Sequence, residues 1–178
     1  MKRNLTFSLA VALLATFGLW AQSRPQAFSV VEVGIPEMRA AMEQHRVTSH
    51  ELVMQYLARI ATYEDKLHAA ITINPKALEE ADALDRERAQ GKLRGPLHGI
   101  PVALKDNILT PYMPTTGGAL AFAGFVPPYE ATLAKNLRDA GAIIIAKTGL
   151  TELANWVAGA EGALKLGKDM PAKYWETL

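Results

Sequence analysis

The period of the apolar positions changes several times along the chain, and each change predicts an element. Residues 24–35, flanked by prolines, read as an extended arm, and Pro36 to His45 as a short helix. Proline suits the first turn of that helix, where its missing N–H leaves nothing unpaired. Thr48-Ser49-His50-Glu51 has the capping-box pattern, with Thr48 as N-cap and Glu51 at the third helical position. Leu52, Val53, Tyr56, Leu57, Ile60 and Tyr63 then recur at three- and four-residue spacing, one apolar face of a helix ending near Lys66. Ala69 to Ile73 is a short β-type run. Asn74-Pro75 opens a third helix, with Asn74 as cap and Pro75 in the first turn, and Gly91 ends it. Asp82 and Arg86 lie four apart on this helix and are expected to pair on its surface.

The second half carries the strands. Ile100 to Leu104 is an unbroken apolar run that ends at Lys105-Asp106-Asn107, and Ala142 to Ala146 is a second one. Between them lies a loop rich in Pro and Gly, then a helix over Glu130 to Asp139 with Leu133 and Leu137 on its apolar side, closed by Gly141. Lys147-Thr148-Gly149 reads as a turn into a helix from Thr151 to Val157, beyond which glycines interrupt the pattern. Strand, helix, strand with buried runs implies a βαβ unit and a parallel sheet. The fold class is therefore α/β, N-terminal helices followed by the first strands of a mostly parallel sheet. Two or three strands cover such a sheet poorly, so the chain is expected to be an incomplete part of a larger domain.

The first residues change the picture of where the protein works. Lys2 and Arg3 precede an uncharged, mostly apolar run from Leu5 to Leu19, which is short for a membrane span and long enough for a secretory signal. Leu19-Trp20-Ala21 and Ala21-Gln22-Ser23 offer small-residue cleavage sites. Residues 1–23 are thus expected to be a signal peptide cleaved near residues 21–23, and the mature chain to be exported, periplasmic or extracellular, with no stable membrane span. An uncleaved anchor is the alternative. The chain has no Cys, so its stability must come from core burial. With 19 basic and 18 acidic residues, nothing in the charge suggests a nucleic-acid partner.

Lys105 is the candidate for chemistry, because it ends a buried strand and active-site groups in open α/β sheets gather at strand ends. A lysine desolvated at such a place loses basicity, and a neutral amine can act as a base. On position alone a solvated lysine, or one paired with Asp106, is the simpler reading.

Its neighbours argue for more. Gly95-Pro96-Leu97-His98-Gly99-Ile100-Pro101-Val102-Ala103-Leu104-Lys105-Asp106-Asn107-Ile108 resembles the first strand motif of the amidase signature family. Met113-Pro114-Thr115-Thr116-Gly117-Gly118, Ala121 to Phe125, Leu137 to Ala142 and Lys147 to Asn155 continue the resemblance, which spans about residues 35–160. It implies that residues 24–178 are the N-terminal part of an amidase domain. It also implies hydrolysis of non-peptide carboxamide C–N bonds of a small-molecule substrate, through a Ser–cis-Ser–Lys triad without metal or organic cofactor. In that triad Lys105 would take the proton of the bridging serine, which activates the nucleophilic serine.

The serines do not fit. Ser8, Ser23, Ser29 and Ser49 all precede Lys105, whereas the family's serines follow the lysine, and its Gly/Ser-rich oxyanion loop is absent. The chain is accordingly expected to be a truncated amidase, silent by itself. Two alternatives remain: a non-catalytic exported binding or interaction module, and an amidotransferase-like subunit that works on charged tRNA, which an export signal disfavours.

Other motifs carry less. Gly162 to Lys168 matches a phosphate-binding loop, but Asp169 stands where Ser or Thr should hold Mg²⁺ and no strand leads into it. His45 and His50 share no helix face, which disfavours a metal site. Thr115 and Thr116 read as turn residues rather than nucleophiles, and Trp156, Tyr174 and Trp175 as packing groups.

Overall fold

The computed structural model describes residues 27–154. The expected signal peptide, the phosphate-loop lookalike and the aromatic residues Trp156, Tyr174 and Trp175 lie outside them. In order come α1 (Ile35–Glu43), α2 (Ser49–Leu67), β1 (Ala70–Ile73), α3 (Ala77–Ala89), β2 (Pro101–Lys105), α4 (Thr132–Asp139) and β3 (Ile143–Thr148), with 3-10 turns at Leu120–Phe122 and Glu152–Ala154.

Helix α2 starts where its capping box says it should: the Thr48 hydroxyl accepts the Glu51 N–H, and the Glu51 carboxylate accepts the Thr48 N–H. A second anion reinforces this end. Asp85, from α3, accepts the Ser49 and His50 N–H groups at 2.8 and 3.0 Å, satisfying two orphan donors. Asp82 lies beside His50 Nδ1 at 2.7 Å, instead of pairing with Arg86 along its own helix. Helix α3 begins at Ala77, later than Asn74-Pro75 suggests. The Asn74 side chain is used across the fold: its amide donates to the Ile144 carbonyl on β3, while its oxygen accepts the Lys76 N–H.

The three strands form one mixed sheet in the order β1-β3-β2, β2 parallel and β1 antiparallel to β3. The loop and α4 make the crossover from β2 to β3, the expected βαβ unit. β3 is buried on both faces. Ile143, Ile145 and Ala146 pack on Val53 of α2 and Ala77, Ala81 and Leu84 of α3. Ile144 packs on the other side with Leu104, Met113 and Ala134. That double burial is why the run is continuously apolar. Helix α4 rests on this face through Ala134 and Leu137, while Leu133 points to solvent. A third cluster joins α1, Leu52 of α2 and Ile100. No helix among the described residues is long and apolar enough to cross a membrane.

Candidate active site

Parallel pairing sets the geometry of the site. Lys105 and Thr148, the last residues of β2 and β3, are register partners, so both strands end side by side and the chain leaves each at the same rim. The Lys105 side chain is exposed at this rim. Its carbonyl accepts the Ile108 N–H at 3.0 Å, which turns the chain away from the strand.

The next residue goes the other way. Asp106 is fully buried, and its N–H donates to the Thr148 carbonyl at 3.0 Å, extending the pairing by one step. Its Oδ2 accepts the Thr116 N–H at 2.9 Å and the Thr116 hydroxyl, and its carbonyl accepts the Gly117 N–H at 3.1 Å. Its Oδ1 lies 3.2 Å from Lys147 Nζ, an ion pair off the aligned hydrogen-bond direction. Asp106 thus pairs with the lysine of the neighbouring strand and not with Lys105, which among the described residues is left open.

Lys147, which the sequence suggests to be a turn residue, is the buried lysine of the sheet. It is fully enclosed, and Nζ donates to the Thr115 hydroxyl at 2.8 Å. Burial pushes its pKa down, and pairing with Asp106 offsets part of that shift. A lysine beside a threonine hydroxyl has the composition of a base–nucleophile pair. Here both groups are enclosed and the ammonium faces a carboxylate, so the arrangement holds segments together and does not present a nucleophile. Thr115 and Thr116 are therefore polar anchors of the loop, more than turn residues. One sequence signal could have found this set: an Asp and two Thr bracket the first loop, complementing a Lys that directly follows an apolar run.

The two serines among the described residues, Ser29 and Ser49, stay away from the rim. Ser49 Oγ contacts Met42 and would collide with a Cβ on Gly99, just before β2. At the rise of a strand, Gly99 and Lys105 are about 20 Å apart. Ser29 lies in the arm, its hydroxyl accepting the Val31 N–H. The Gly117-Gly118 turn offers no free anion nest either, because the N–H groups of Gly117, Gly118 and Ala119 are held by Asp106 and Thr116. Among the described residues no three His, Asp or Glu side chains gather as metal ligands.

The loop beyond Thr115 brings apolar surface to the same rim. The Thr115 N–H donates to the Phe125 carbonyl, Phe122 and Phe125 lie 6.4 Å apart, and the Leu153 N–H donates to Gly117. Leu120 is 89% exposed, and Phe122, Phe125, Val126, Tyr129 and Leu153 are also exposed.

Comparison with known proteins gives this arrangement relatives. A family model described as Amidase matches residues 51–165. A "Probable amidase" of Arabidopsis thaliana is 40% identical over 152 residues, which are 83% of this chain and 30% of that protein. A glutamyl-tRNA(Gln) amidotransferase subunit of Natranaerobius thermophilus is 42% identical over 124 residues, 69% of this chain and 25% of that protein. The native peptide amidase from Stenotrophomonas maltophilia superposes with a TM-score of 0.68 at 46% identity, over 74% of this chain and 27% of that one. The chain thus spans less than a third of the length of the curated relatives it matches.

Proposed function

Because the chain belongs to the amidase family, we propose that it supplies the lysine of an amide-hydrolysing site, with Lys105 as the base. The observation that carries this is the placement of Lys105, exposed at the C-terminal end of the parallel strand that bears the family's lysine motif. In the reaction a serine oxygen adds to the carboxamide carbon, and its proton passes through a second serine to the Lys105 amine. The C–N bond breaks, the nitrogen leaves carrying a proton, and water then cleaves the acyl ester to a carboxylate. No serine follows Lys105 in these 178 residues. The two hydroxyls and the oxyanion donors therefore come from polypeptide outside them, and the chain by itself is catalytically silent.

The test is complementation. The full chain is co-expressed with the part of the S. maltophilia peptide amidase beyond the superposed region, and ammonia release from a peptide carboxamide is followed. Neither piece alone should turn over, the pair should, and Lys105→Ala should lower the rate roughly 10²–10⁴-fold, the usual worth of a general base. A genetic fusion replaces the pair if the pieces do not associate. Lys105-dependent turnover by the chain alone would sink the claim of silence, and full activity of the Lys105→Ala assembly would sink the role of the base.

A second reading is favoured by the matches to glutamyl-tRNA(Gln) amidotransferase subunits. Under it, the completed protein transfers ammonia only when charged tRNA and its partner subunits are present, and free carboxamides are poor substrates. We also read Leu5 to Leu19 as a signal that exports the chain. Sequencing the N-terminus of exported protein should find it near residues 21–23, and an intact Met1 in the cytosolic fraction would overturn export.

A further inference from the structure

We propose that the buried Asp106–Lys147 pair is a positioning device for Lys105, fixing the backbone from which that side chain reaches its partner. The proposal rests on the reading of Lys105 as the base. Asp106 is adjacent to Lys105 in the chain, and two segments converge on it, β3 and the loop. β3 accepts its N–H and sets Lys147 against its Oδ1. The loop supplies the Thr116 N–H and hydroxyl to its Oδ2 and the Gly117 N–H to its carbonyl. Lys147 then reaches on to Thr115, so the ion pair also ties the loop directly to β3.

A buried ion pair is a poor device for stability alone, because desolvating both charges cancels much of their attraction. Its advantage is directional. Apolar side chains could fill the same space but would leave the strand end and the loop free to slide by a fraction of an ångström. Five polar contacts on one residue remove that freedom immediately after Lys105. On the other side Lys105 belongs to the β2–β3 ladder, where it partners Thr148. What remains adjustable is the lysine side chain itself, which is the group that must meet an incoming hydroxyl. Small misplacements of such a group are expensive in rate even when binding survives. Asp106 and Lys147 are enclosed, so they act through Lys105 and do not touch substrate.

The experiment has two arms on the same variants, Lys147→Met and the neutral pair Asp106→Asn with Lys147→Gln. In the full chain, amide exchange of Asp106, Ile108, Thr116 and Gly117 reports the tethers. Lys147→Met should speed it roughly tenfold or more while the amides of α3 keep their protection, and the neutral pair, which retains hydrogen bonding, should restore most of the slow exchange. In the complemented enzyme, Lys147→Met should lower kcat by about 10²-fold with KM little changed, and the neutral pair should recover most of it. Unchanged exchange in folded Lys147→Met, or faster exchange with an unchanged kcat, overturns the positioning role. If Lys147→Met does not fold, the neutral pair alone decides, by keeping or losing slow exchange and kcat together. Loss of the base reading looks different: Lys105→Ala retains activity while the exchange arm reads as before.

Discussion

Two constraints meet at Gly141. Its φ is +88°, a region that side-chain-bearing residues avoid, and a Cβ there would sit 2.7 Å from the Cα of His98. His98 cannot retreat, since Nε2 is 2.9 Å from the Leu84 carbonyl as its donor and Nδ1 accepts the Arg94 N–H. Gly141→Ala should therefore cost about 2–4 kcal/mol, adding left-handed strain to overpacking. Urea melts with an unchanged midpoint would refute it. Tyr112 makes a different prediction. Among the described residues its hydroxyl is buried without a hydrogen-bond partner, and burial pushes its pKa up from 10.0 to about 12, opposed in part by Arg138, which stacks on the ring. An acid whose folded pKa is raised contributes stability that is complete below about pH 10 and lost as pH rises toward 12. Absorbance titration of tyrosinate should show a late phenol that disappears in Tyr112→Phe; a phenol ionising near 10 in its place would contradict the burial argument.

At the scale of elements, α2 separates what local sequence can encode from what it cannot. Thr48 and Glu51 are three residues apart, so their capping box is legible, and Thr48→Ala should cost about 1 kcal/mol. Asp85 holds the same helix end from 36 residues away and leaves no local trace. Asp85→Ala should cost a further increment of about 1–2 kcal/mol, and the double variant should show whether the two anions act independently. Additive losses in thermal melts would mean that they do; a double variant no worse than the worse single one would mean that the two anions act only together. The same limit explains the late start of α3, where a cap-type residue, Asn74, is diverted to a carbonyl 70 residues on. It explains Lys147 too, whose partners Asp106 and Thr115 arrive through the parallel pairing of β2 and β3. β3 itself was legible because burial on both faces writes an apolar run into the chain, and Lys105 because it ends such a run inside a motif. The open position of Lys105 was not legible, since it depends on which neighbour claims Asp106.

At the scale of the molecule, the rim that carries Lys105 is also where apolar side chains face solvent. Leu120, Phe122, Phe125, Val126, Tyr129 and Leu133 follow one another along the loop and the start of α4, and Leu153 adds to them beside Gly117. Such side chains bunched along one segment mark a surface awaiting a partner. β2 adds to this, because among the described residues it pairs only with β3 and leaves its other edge open. The matched structures are about four times the length of the aligned part, so the chain corresponds to roughly a quarter of their fold. If the loop patch is what makes the isolated chain sticky, purified protein should self-associate as its concentration rises and should bind a dye specific for exposed apolar surface. Leu120→Ser with Phe122→Ser should reduce both without lowering the melting temperature, because neither side chain is buried in the core. Adding the serine-bearing piece of the peptide amidase should suppress association as activity appears, whereas blocking of the β2 edge should act independently of the two serine substitutions. A chain that stays monomeric and dye-free at about 100 µM would show that this surface needs no cover, and would favour the self-sufficient binding module over the catalytic half.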